Sequence, residues 1–98
     1  MNMQAMLKQA QKLQKDMLAT QEEINNKEFI GKSSIVTVKM NGKKELLDVK
    51  IDTEKLEEDD VELLQDMITV AFNDAMNQIN KETELKMGKY TQGMPGLF

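Results

Sequence analysis

Cysteine, histidine and tryptophan are absent from the 98 residues, there is one proline, and the aromatic residues are three Phe and one Tyr. Without Cys there is no disulfide and no thiolate metal site, a composition that fits a reducing cytoplasm. Without His the usual general base, the usual zinc ligand and the nucleophile–histidine pairs are missing, which leaves carboxylates, Lys, Tyr90 and hydroxyls for any chemistry and argues against an enzyme. No apolar run approaches the roughly 20 residues of a membrane span, and the N-terminus lacks the unbroken apolar core of a signal peptide, so a soluble protein without a membrane partner is expected. The five Gly have no phosphate-cradling spacing, so no nucleotide cofactor is implied. The only dense carboxylate run, Glu57-Glu58-Asp59-Asp60, lacks the loop spacing of a calcium site and suits a helix N-terminus; no metal and no small-molecule substrate are expected. With so few aromatics, a chain of this length forms one domain, over residues 1–90, with a thin core that a partner chain would help to complete.

What is present is organised around Ser34 to Asp52, where two alternating apolar runs meet at Asn41-Gly42. Asn-Gly tolerates the positive φ required at both centres of a two-residue type I′ turn, so the expected pairing sets Met40 against Lys43, Val38 against Glu45 and Val36 against Leu47. In that register Val36, Val38, Met40, Leu47, Val49 and Ile51 share one face. Thr37, Lys39, Lys44, Asp48 and Lys50 share the other, with Ile35 and Leu46 as apolar residues outside. A lone hairpin is marginal in water, so its apolar face calls for cover by neighbouring helices. Lys27 to Lys32 is expected to add a first strand, turning at Gly31 to Ser34 into the hairpin and making a three-stranded antiparallel meander.

Residues 2 to 26 predict one long helix. Met3, Met6, Ala10, Leu13, Met17, Thr20 and Ile24 step by alternating threes and fours, Leu7 and Leu18 widen the seam, and no Gly or Pro interrupts it. At 1.5 Å per residue the arm is about 35 Å long, more than a domain of this size covers, so part of it projects or pairs. The inner half of the seam either packs on the sheet or meets a second chain. Further on, Asp52-Thr53 starts a helical turn near Leu56, and Asp59 with Glu62 forms a capping-box pattern. From Val61 a wide stripe through Leu64, Met67, Ile68, Ala71, Phe72, Ala75, Met76 and Ile79 predicts a helix that covers the sheet and stops before Gly88. Leu63 and Val70 lie off that stripe and again hint at a partner. Residues 91–98, with Gly93, Pro95 and Gly96, read as a flexible tail.

Charge is unevenly placed. The net charge of −4 divides into +4 over residues 1–44, −8 over 45–66 and zero over 67–98. A nucleic-acid partner would therefore be met by the N-terminal half. Lys8, Lys12 and Lys15, at i, i+4 and i+7, put three cations on one face of the first helix, with Gln4 and Gln11 beside them and no acid before Asp16. Such a stripe is either a solvated helix face or a phosphate-tracking surface to which Gln adds hydrogen bonds to phosphate or base edges. Lys39, Lys43 and Lys44 around the hairpin tip either extend that surface or, with Lys27 and Lys32, protect sheet edges.

With these residues in hand the chain resembles the YbaB/EbfC family of bacterial nucleoid-associated proteins over nearly its full length. Met-Leu-Lys-Gln-Ala-Gln-Lys-Leu-Gln-Lys from Met6 is similar to the family's first helix, and Val-Lys-Met-Asn-Gly-Lys-Lys-Glu from Val38, followed by Val-Lys-Ile-Asp, to its hairpin. Glu-Asp-Asp-Val-Glu-Leu-Leu-Gln-Asp-Met-Ile from Glu58, with Ala-Phe-Asn-Asp-Ala, resembles its covering helix, and Lys-Met-Gly with Gly-Met-Pro-Gly its tail. Gly31-Lys32-Ser33-Ser34 is shorter and less Gly-rich than the family's usual link before the second strand. The resemblance implies an α+β fold, α-β-β-β-α, assembled into a tweezer-like homodimer. Its helical arms would embrace duplex DNA in the nucleoid, within the cytoplasm, and alter its conformation, without a catalytic residue. The rival reading is a dimeric protein-interaction adaptor with incidental DNA affinity.

Overall fold

The computed structural model describes residues 2–91, and most of the tail expected over 91–98 lies outside the described residues. The chain runs α1 (Met3–Asn26), β1 (Glu28–Ser33), β2 (Val36–Asn41), β3 (Leu46–Ile51), a 3₁₀ turn at Thr53–Lys55, and α2 (Val61–Thr91). The three strands form one antiparallel sheet in the order β1-β2-β3, so the α-β-β-β-α order expected from the sequence is the observed one. α1 begins at Asn2, whose side-chain oxygen accepts the Gln4 N–H at 3.0 Å and so satisfies one of the free amides of the first turn. It proceeds through uninterrupted helix formers.

The hairpin differs from the expected one. β2 and β3 pair Val36 with Ile51, Val38 with Val49 and Lys39 with Asp48, four residues out of the anticipated register. An even shift keeps every side chain on its face, so the alternating pattern could not distinguish the two. The turn chemistry explains the choice. Asn41 N–H donates to Glu45 O at 3.1 Å and Lys44 N–H to Asn41 O at 3.0 Å, while the Asn41 side-chain oxygen accepts from the amides of Lys43 and Glu45. The loop is thus the three residues Gly42 to Lys44, with Lys44 at φ 68° taking the left-handed position. A bulge follows, Met40 facing Leu46 after Lys39 faces Asp48, which brings Leu46 to the inner side rather than the outer. The two-residue turn lies instead at Ser34-Ile35, between the paired Ser33 and Val36, with Ser34 at φ 53°.

Gly42 is required for space. A Cβ there would fall 1.9 Å from the Ile24 carbonyl oxygen, because the hairpin tip packs against the last turn of α1. Gly42→Asn, tolerable if positive φ were the only demand, is therefore expected to cost about 2 kcal/mol in a urea melt. A loss below about 0.5 kcal/mol would contradict this packing and point back to φ alone.

α2 lies over β1 and β2. Phe29, Val36, Val38 and Met40 from the sheet meet Ala71, Ala75 and Ile79 from the helix in the main buried core, with Leu64, Met67, Ile68, Phe72 and Met76 at its margin. The helix approaches β1 backbone to backbone at Gly31. Its flank also closes the outer edge of β1: the Asp74 carboxylate accepts the Lys32 N–H at 3.0 Å, and the Gln78 amide donates to Ile30 O at 2.7 Å. The cover stops at β2. β3 has no α2 backbone above it, and Leu47 and Val49, expected in the core, are exposed. Two boundaries also shift. Asp60, not Asp59, precedes the first helical residue, its carbonyl accepting from Leu64 N–H, and α2 runs through Gly88 to Thr91 rather than ending before it.

Candidate nucleic-acid interface

The inner half of the α1 seam packs on the end of α2 rather than on the sheet face. Ile24 is fully buried with Met87 and Tyr90, and Met17 joins them. Thr20 Oγ1 lies 3.4 Å from the Tyr90 hydroxyl, and Lys27 pairs with Glu82, so the two helices run antiparallel. The stripe of α2 thus continues past Ile79 to Met87 and Tyr90, a signal that reading Gly88 as a helix stop concealed.

Because α2 ends beside the middle of α1, residues 2–16 are exposed throughout and form a projecting arm. The dimensions agree: α2 accounts for about 46 Å and the helix beyond Thr20 for about 25 Å, against a long axis of 71 Å. At 100° per residue, Gln4, Lys8, Gln11, Lys12 and Lys15 fall within a sector about 100° wide, and Met3, Met6, Ala10 and Leu13 lie on the opposite side. The structure therefore brings all five candidate residues onto one solvent-facing side of the arm. None of the three lysines is in an ion pair among the described residues, whereas Lys27, Lys39, Lys55 and Lys86 each are.

The hairpin lysines do not extend the stripe. Gly42 places the tip at Ile24, about 13 Å along the helix from Lys15. Lys39 faces Glu28 at 3.7 Å on the outer side of the sheet. An open cleft of about 520 Å³ lies between β1 and α2, but its Lys27 is held by Glu82 and also lies over the Phe29 ring. Among the described residues no three acidic side chains converge as a metal site, and no helix is long and apolar enough to cross a membrane.

What the arm offers is exposed cationic groups on a helix with no acid before Asp16, suited to phosphate rather than to chemistry on a substrate. The model of the YbaB/EbfC DNA-binding family matches residues 1–94. A nucleoid-associated protein of Lactococcus lactis subsp. cremoris is 53% identical over 97 residues, covering 97% of this chain and 98% of the relative. One from Enterococcus faecalis is 47% identical over 97% of this chain and 93% of its own length. The crystal structure of an uncharacterized protein from Helicobacter pylori shares the fold, with a TM-score of 0.73 at 23% identity over 92% of this chain and 97% of that one. The chain belongs to the YbaB/EbfC DNA-binding family.

Proposed function

We propose that the protein binds double-stranded DNA as a homodimer in the bacterial nucleoid, within the cytoplasm, holding the duplex between its two arms and altering its conformation. The observation that carries this reading is the stripe of Lys8, Lys12 and Lys15 on the projecting half of α1, outside any ion pair among the described residues. Two-fold symmetry doubles it to six cations facing the space between the arms. Their ammonium groups would neutralise phosphates, while Gln4 and Gln11 are the neighbouring groups suited to base edges, so binding would be largely indifferent to sequence. The dimer is supported by apolar surface that one chain leaves open, notably Leu46, Leu47 and Val49 on β3 and Leu63 and Val70 on α2. No group in this arrangement calls for a reaction.

Fluorescence anisotropy on a linear duplex at several salt concentrations tests the reading. Six phosphate contacts predict a slope of log affinity against log salt of about −5, an affinity loss of about a thousandfold between 50 and 200 mM salt. A slope near zero would favour the adaptor reading. The observation on its side is the bare apolar stripe of Met3, Met6 and Leu13, opposite the lysines.

A further inference from the structure

The apolar seam of α1 is covered for only half of its length. Met17, Thr20 and Ile24 lie against Met87 and Tyr90 of α2, whereas Leu13, Ala10 and Met6, the next positions of the same stripe, are exposed. The cover stops because α2 ends at Thr91, one residue past the Tyr90 hydroxyl that meets Thr20. The two helices are antiparallel, so the chain that follows Thr91 leaves α2 at the base of the bare seam and is directed along it. That chain is Gln92-Gly-Met-Pro-Gly-Leu-Phe98. It carries no charge, unlike the charge-rich segments that stay in water for want of apolar surface, and it brings Met94, Leu97 and Phe98. Phe29 and Phe72 belong to the main core and its margin, so Phe98 is the remaining phenylalanine, whose burial that core does not provide.

We infer that residues 92–98 seat on the bare half of the α1 seam of their own chain, with Met94 against Leu13 and Phe98 over Ala10. The reach suffices. Leu13 and Ala10 lie about 10 and 15 Å along α1 from Thr20. An extended chain spans at most about 3.5 Å per residue, so three residues bring Met94 level with Leu13, and seven bring Phe98 to Ala10 with slack for a bend at Pro95-Gly96. The small Ala10 side chain leaves a gap between Met6 and Leu13 that an aromatic ring fills, and a thioether beside a ring is a favourable contact. This seat is on the side of the arm opposite Lys8, Lys12 and Lys15. It therefore closes the apolar stripe to other proteins while leaving the cationic stripe open, and a partner helix would have to displace it. The inference goes beyond the DNA reading and holds whether or not the lysines meet phosphate.

Two measurements on the full chain test this. The protein has no Trp, so Phe98→Trp introduces a single fluorescent reporter. Its emission should be blue-shifted from that of a solvent-exposed Trp, and its quenching by acrylamide reduced several-fold. Adding Ala10→Glu and Leu13→Glu, both at exposed positions of the arm, should return the emission and the quenching to exposed values while the urea melt of the domain stays in place. Independently, because the protein has no Cys, Leu13→Cys with Met94→Cys should close a disulfide under mild oxidation, and the product should keep the mass of one chain on a non-reducing gel. An exposed reporter, or a buried one indifferent to the two arm substitutions, would overturn the seat. A disulfide formed only between chains would place the segment on another copy's arm and overturn it as well.

Discussion

Gly31→Val is expected to lower the unfolding free energy by about 3 kcal/mol, at the upper end for added volume in a packed core. A Cβ at residue 31 would lie 2.0 Å from the Ala71 carbonyl oxygen and 2.7 Å from the Ala75 amide nitrogen. Both are backbone atoms of α2, so no side chain can rotate away, and the helix must lift from β1. That lift would open the core where Ala71 and Ala75 are fully buried and would strain the Asp74 and Gln78 bonds that close the β1 edge. A domain of this size has on the order of 5 to 15 kcal/mol of stability in total, so the urea midpoint should move far toward zero with little change in slope. A variant within about 0.5 kcal/mol of the parent would mean that the helix does not sit this close to the strand.

Why Gly31 matters was not legible in the sequence, where it reads as part of a turn. The close approach depends on which strand α2 crosses, and a hydrophobic stripe reports that a helix is covered without reporting by what. The same limit appears at the hairpin. Asn41-Gly42 announced a turn in the right place, but the Asn41 side chain holds the amides of Lys43 and Glu45 and draws in a third loop residue, moving the register by three, and the bulge next to Met40 adds the fourth. Val36, Val38 and Met40 still reached the core because an even shift preserves faces. Leu47 and Val49 did not, since α2 is centred over the first two strands.

The arm was more legible than the core, for a physical reason. A solvent-facing helix keeps its side chains where the 3.6-residue period puts them, whatever the rest of the fold does, so the common face of Lys8, Lys12 and Lys15 could be read directly. What needed the structure was where the projection begins. That is set by Thr20 and Ile24 against Tyr90 and Met87, a long-range contact between segments about seventy residues apart.

Replacing Lys8, Lys12 and Lys15 together by Gln is expected to weaken duplex DNA binding by more than a hundredfold at low salt, because up to six phosphate contacts would be lost per dimer. Gln keeps helix propensity close to that of Lys, and the three side chains are exposed and outside any ion pair among the described residues, so the melting curve and the dimeric mass should match the parent. The most direct measurement is anisotropy of parent and triple variant on one duplex across a salt series. The predicted result is a slope near −5 for the parent, and for the variant a much shallower slope with its affinity lost. Unchanged affinity and slope in a folded variant would take the DNA surface off α1 and contradict the account at its centre.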